Sequence, residues 1–203
     1  MKNILISQII KKNFHNEFLY VVEKSWYDFF HNTNVNLVTI DASKKIRQKV
    51  SAIVLHGGGG NDLPKFSKSK DNILRKKSDL NIFKYALRKK IPILAVCYGF
   101  QLIAEFYDSK LTKVEKHVKT KHKLTFINKR KKSSKIIVNS FHNYAVMNLP
   151  DFFDETIKCD DKTIEYAKSK KKNIMCMMFH PERKSSNQFF LKKLIFDHLK
   201  IKI

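Results

Sequence analysis

The chain has 203 residues, of which 41 are Lys or Arg and 18 are Asp or Glu, for a net charge of +23. A hydrophobic share of 43% excludes a wholly disordered chain, and the length suits one domain over residues 1–203 rather than two large catalytic domains. No stretch approaches the roughly 18 consecutive apolar residues of a membrane helix, and the first residues lack the cleavage site of a leader, so a soluble cytoplasmic protein is expected.

Asn3 to Ser7 and Val35 to Ile40 read as strands. Between them Phe18, Leu19, Val22, Trp26, Phe29 and Phe30 recur at helical spacing. Ala52 to Leu55 is a third strand and ends in the glycine cluster Gly57 to Gly60. A basic amphipathic helix is expected over Lys70 to Lys90, then a strand from Pro92 to Val96 that leads directly into a helix. Alternating strands and helices imply a mainly parallel sheet with crossover helices. Later runs, His122 to Ile127, Lys135 to Asn139, Thr156 to Cys159, Thr163 to Ala167 and Ile174 to Phe179, follow one another as strands and suggest antiparallel additions. Gln188 to Leu199 reads as a closing helix.

Cys97, Cys159 and Cys176 are odd in number and contain no C-x-x-C pair, which argues against a disulfide framework and a structural zinc site. Cys97 stands out by position. In Ala95-Val96-Cys97-Tyr98-Gly99 a strand delivers the thiol to a sharp turn at the start of a helix, the layout of a nucleophile elbow. Helix N-terminal amides and the dipole favour a thiolate there and can hold a developing oxyanion. The bland reading is a small core residue finishing a strand. A second motif, His180-Pro181-Glu182, follows another apolar strand. Proline keeps His180 extended, so His180 and Glu182 point to one side and can hydrogen-bond, leaving the second ring nitrogen to act as a base.

Cys97-Tyr98-Gly99-Phe100-Gln101 and His180-Pro181-Glu182 resemble the signature motifs of the class I glutamine amidotransferase family. The resemblance extends over nearly the whole chain and implies a three-layer α/β sandwich with a mainly parallel sheet. It implies Cys97 as nucleophile, His180 as base and acid and Glu182 as its orienting carboxylate. Ala95 stands where many members have glycine, a minor departure. Gly57 to Gly60 resembles the family's oxyanion loop, and Gly58 or Gly59 with the Tyr98 amide are expected to form the hole. No Gly-Lys-Ser/Thr follows, which sets aside a phosphate-binding loop. The resemblance further implies that Gln101 and the segment Asn139, Ser140, Phe141 and His142 hold the glutamyl group, against the alternative of a polar strand end with a satisfied histidine.

His117 and His122 lie among lysines with no carboxylate or third ligand at suitable spacing, so no metal is expected there, and no cofactor is expected anywhere. The basic residues are spread along the chain, as at Lys11-Lys12, Arg75 to Lys77, Arg88 to Lys90 and Lys170 to Lys172, with no nucleic-acid-binding motif. Their abundance, with that of Ile, Asn and Phe, is what an AT-rich genome produces. No membrane or specific nucleic-acid partner is expected. Within the family the chain resembles the hydrolase branch, which implies an anionic γ-glutamyl nucleotide substrate of the chemistry that makes capsule phosphoramidate groups. A glutaminase subunit feeding ammonia to a separate synthase is the alternative, and a non-catalytic basic nucleic-acid-binding protein a more distant one.

Overall fold

A computed structural model describes residues 1–41, 45–58, 69–127 and 133–202. The central sheet is built from β1 (Lys2–Ile6), β4 (Val35–Val38), β5 (Ala52–Leu55), β6 (Ile93–Val96), β7 (Leu111–Lys113), β10 (Tyr144–Val146), β11 (Glu155–Lys158), β12 (Ile164–Ser169) and β13 (Ile174–Met177). Its order is β4-β1-β5-β6-β13-β12-β10-β7, with β11 paired to β12. From β4 to β13 all neighbours are parallel, and from β13 onward all are antiparallel. The expected mainly parallel sheet with antiparallel additions is what the chain forms.

Side-chain alternation along the strands makes the three layers. Ile4, Ile6, Val54, Leu94, Val96, Met175 and Met177 face one side, where Trp26, Phe29 and Phe30 of α1 (Lys24–Phe30) and Leu191, Ile195 and Phe196 of α4 (Gln188–Leu199) cover them. Leu5, Ile53, Leu55, Ile93, Ala95, Ile174 and Cys176 face the other, under Ile82, Phe83 and Ala86 of α2 (Lys70–Lys89) and Phe100 and Ile103 of α3 (Tyr98–Phe106). A strand buried on both faces shows no polar alternation, so β5, β6 and β13 are apolar throughout.

Two regions depart from the sequence reading. Phe18 to Val22 is not part of a helix: β2 (Ile9–Lys12) and β3 (Phe18–Val21) form an antiparallel hairpin, and only Lys24–Phe30 is helical. The Asn13 side chain closes its turn, accepting from the His15 and Glu17 amides at 3.0 and 2.9 Å, and Asn16 takes the left-handed φ of 66°. The second departure is a long hairpin of β8 (Val118–Ile127) and β9 (Ser133–Phe141), which is its own sheet. Leu124, Phe126, Ile136 and Val138 form its inner face and pack with Tyr166 of β12 into the main core.

Candidate active site

Cys97 sits between β6 and α3 with φ 48° and ψ −104°, a conformation that costs a non-glycine residue on the order of 1–3 kcal/mol. Its amide donates to the Met177 carbonyl at 2.8 Å and its carbonyl accepts from the Gln101 amide at 3.0 Å, so β13 and the first turn of α3 hold the turn in place. Glycine is required two residues on: a Cβ at Gly99 would lie 2.2 Å from the Leu55 carbonyl oxygen. The close seating of α3 on β5 puts the first, internally unbonded amides of the helix beside the thiol.

His180 follows β13 and is buried. Its Nδ1 is 2.6 Å from Glu182 Oε1, which leaves Nε2 on the side of the ring that faces Gly57 and Cys97. A Cβ placed on Gly57 would fall 2.6 Å from His180 Cε1, 3.3 Å from Nε2 and 3.0 Å from Cys97 Cβ, so the glycine lies directly against both side chains. Burial works against a charged His180. The Glu182 carboxylate, the neighbouring Cys97 and the hydrogen bond to Glu182 outweigh it and raise the imidazolium to about 10. Asn139 grips the backbone of the same residue, donating to the His180 carbonyl at 2.9 Å and accepting from its amide at 2.8 Å.

Of the expected oxyanion residues, Gly58 borders the site with a φ of 78°, Tyr98 opens α3, and Gly59 lies outside the described residues. The anchor of this loop is Arg75, which sequence reasoning placed only in a basic run. Arg75 is buried in α2 and donates to the carbonyls of His56 at 2.8 Å, Gly57 at 3.3 Å and Gly58. Its guanidinium also lies over the Tyr98 ring, and its Nε is 3.5 Å from Asp79. Burial raises the Asp79 carboxyl to about 7 despite that neighbour. Burial and the Arg75 charge depress His56 to about 3, so its ring is neutral beneath the loop.

The expected substrate residues divide. Gln101 is buried one turn after Cys97, with Nε2 donating to the Tyr144 carbonyl at 2.9 Å. The exposed Phe141 ring lies 6.1 Å from the His180 ring. Asn139 is committed to the His180 backbone, as described. Ser140 and His142 are not placed to meet a substrate with their side chains: both are buried, Ser140 Oγ donates to the His117 carbonyl at 2.6 Å, and His142 Nε2 turns to His117 Nδ1 at 3.3 Å. The end of the long hairpin where β9 meets the residues before β8 spends its polar groups internally. Two charges that sequence reading passed over stand at the mouth instead. Arg183 lies 4.4 Å from the Phe141 ring centre and 3.9 Å from the Glu23 carboxylate, which a Cβ on Gly58 would approach to 2.8 Å. A basic groove of about 890 Å³, lined by Lys45, Arg47, Lys84 and Arg88 among others, includes none of these residues.

Among the described residues no helix is long and apolar enough to cross a membrane. A sequence profile for class-I glutamine amidotransferases matches residues 12–199. The chain is similar to the gamma-glutamyl-CDP-amidate hydrolase of Campylobacter jejuni, 37% identical over 139 residues, which are 67% of this chain and 64% of that protein. More than a third of the hydrolase is therefore unmatched. The chain is also 28% identical over 173 residues to one subunit of the glutamine-hydrolyzing GMP synthase of Methanocaldococcus jannaschii, covering 76% of this chain and 82% of that relative. The fold is shared by a chain of PurLQS from Thermotoga maritima, with a TM-score of 0.70, 15% identity and 98% of each chain covered.

Proposed function

The chain belongs to the class I glutamine amidotransferase family, and on that premise we propose that it hydrolyses a γ-glutamyl amide through a thioester on Cys97. One observation carries the reading: a cysteine held at φ 48° at a helix N-terminus shares the contact surface of Gly57 with a buried histidine whose Nδ1 is 2.6 Å from a carboxylate. Cys97 attacks the γ-carbonyl as a thiolate, with His180 as the imidazolium. The tetrahedral oxyanion is held by the Tyr98 amide and by the glycine loop that Arg75 fixes from behind. His180 protonates the departing nitrogen, then takes a proton from water as it attacks the thioester. Glu182 keeps the ring oriented and balances its charge throughout.

For the substrate, the reading is γ-glutamyl-CDP-amidate, split to glutamate and cytidine diphosphoramidate, a step toward capsule phosphoramidate. The likeness to the Campylobacter jejuni hydrolase supports it. So does the mouth of the site, where the Glu23 carboxylate and the Arg183 guanidinium offer opposite charges to a zwitterionic glutamyl group with an anionic leaving group. The test is glutamate release, measured side by side on γ-glutamyl-CDP-amidate, γ-glutamyl peptides and glutamine. A kcat/KM on the nucleotide at least ten times that on glutamine supports the assignment, and equal or lower values reject it. Loss of all three activities in Cys97→Ala checks the mechanism.

The similarity to a component of a GMP synthase favours one other reading, a glutaminase that passes ammonia to a separate synthase. It requires glutamine to be the best of the three substrates and its turnover to rise on adding the partner synthase.

A further inference from the structure

His117 and His122 acquire in the fold the ligands that their sequence spacing lacked. His117 precedes β8, His122 lies on β8, His142 follows β9 and Glu165 lies on β12, and one donor atom from each falls within 4.8 Å of all the others. We propose that these four side chains form a structural binding site for a zinc ion.

The spacing fits. A tetrahedral zinc with bonds of about 2.0–2.1 Å sets its ligand atoms about 3.3–3.4 Å apart. Glu165 Oε1 is 3.2 Å from His122 Nδ1, 3.4 Å from His142 Nε2 and 3.9 Å from His117 Nδ1, and the last two nitrogens are 3.3 Å apart.

The far side of each ring fits as well. His117 Nε2 is 2.6 Å from an Asp161 carboxylate oxygen, and His142 Nδ1 is 3.1 Å from the Tyr144 carbonyl oxygen. Both partners only accept, so those nitrogens carry hydrogens and each ring turns its other nitrogen inward, where the neutral form offers a lone pair to a metal. Two imidazole nitrogens and a carboxylate thus converge out of water. Glu165 is 0% exposed, and among the described residues its Oε2 has no hydrogen-bond partner. A shared proton can bridge one pair of these acceptors, whereas a divalent cation satisfies them all. Four protein donors leave no open position, which makes the site structural rather than catalytic.

The ion would join the β8–β9 hairpin to the central sheet where both touch the active site. The Glu165 carbonyl accepts from the Met178 amide at 2.8 Å, two residues before His180, and the carbonyl that orients His142 also receives Gln101.

The experiment uses the untagged full-length chain, stripped with chelator, incubated with zinc, desalted and analysed for bound metal. The expected result is one zinc per chain with a raised Tm, and with cobalt the visible absorption of a four-coordinate ion. Asp161→Asn should weaken binding about ten- to a hundred-fold, and Glu165→Gln and His122→Ala should abolish stoichiometric binding. Cys97→Ser should retain the metal. A chain that emerges zinc-free with unchanged Tm overturns the proposal without any variant. Zinc lost in Cys97→Ser and kept in Glu165→Gln overturns it equally, by placing the ion at the elbow.

Discussion

The guanidinium of Arg75 lies 3.9 Å from the centre of the Tyr98 ring. The two residues come from different elements, and the contact links the helix behind the glycine loop to the residue after the nucleophile. Arg75 thus bridges the two halves of the proposed oxyanion hole: its hydrogen bonds hold the loop carbonyls, which turns the peptide amides the other way, and its flat face lies against Tyr98.

Lysine cannot reproduce this. Its ammonium has no fork to reach several carbonyls and no planar face to stack. Arg75→Lys is expected to lower kcat about a hundred-fold with little change in KM, because a misplacement of about 1 Å costs that much. Arg75→Met leaves Asp79 without its cation and is expected to cost about 3 kcal/mol in urea unfolding. Arg75→Met with Asp79→Leu should regain stability but not activity. Steady-state kinetics on the three variants separate the two roles, and a double variant with normal kcat would reject the positioning role.

The elbow was legible because several rules intersect there: an apolar strand, a cysteine, a helix starting at once and a glycine where the backbone of β5 approaches within a Cβ radius. The parallel sheet was legible in the alternation of apolar runs with helices, but the order of its strands was not, and Ile174 to Phe179, grouped with the antiparallel runs, pairs parallel to β6. Arg75 was hidden because its residue type and its Lys neighbours read as surface, and only the tertiary fold buries it under the loop. Glu165 was hidden by distance along the chain, lying 43 residues from His122 on a strand. Phe18 to Val22 was misread because six apolar residues fit a helical spacing equally well, while the turn chemistry of Asn13 and Asn16 decides for a hairpin.

The strain at Cys97 has a measurable signature. At φ 48° and ψ −104° any side chain is penalised, and glycine is relieved of that penalty. Cys97→Gly is therefore expected to be about 1 kcal/mol more stable than Cys97→Ala in urea unfolding, although it removes more buried surface. Both should be inactive. The reverse order of stability would mean that the turn relaxes once the thiol is gone.

Asn139 holds His180 by the backbone rather than the ring, so its removal should act on position and not on proton affinity. Asn139→Leu strips partners from one donor and one acceptor and is expected to cost about 2 kcal/mol. It should lower kcat ten-fold or more while leaving the pH dependence of kcat in place. A shifted pH profile would show that Asn139 acts through the charge of the ring instead.

The His180–Glu182 pair sets a pH dependence of stability. The folded-state value of His180 is raised from an ordinary 6.5 to about 10. Its contribution is therefore complete below pH 6.5 and is lost as pH rises toward 10. Glu182→Gln removes the carboxylate charge that opposes burial, so the histidine becomes neutral at lower pH. Measured as Tm against pH, the native chain should lose more stability than Glu182→Gln between pH 6.5 and 10. Parallel curves would place the compensating charge elsewhere.

Gly57 gives the most local test of the site. A methyl group there meets His180 Cε1 at 2.6 Å, closer than such atoms approach one another, and Cys97 Cβ at a tight 3.0 Å. The ring is the side that yields, because the strain of the elbow and its bonds to β13 and α3 fix Cys97. Moving the ring breaks its contact with the thiol, and the Nδ1–Glu182 bond allows little rotation without being lost as well. Gly57→Ala is accordingly expected to lower kcat at least a hundred-fold while Tm falls only a few degrees. Alkylation of Cys97 by a neutral thiol reagent should slow in parallel, because the thiol loses the histidine that the proposed mechanism pairs with it. If alkylation keeps its native rate while turnover falls, the methyl group is blocking the substrate and not the pair.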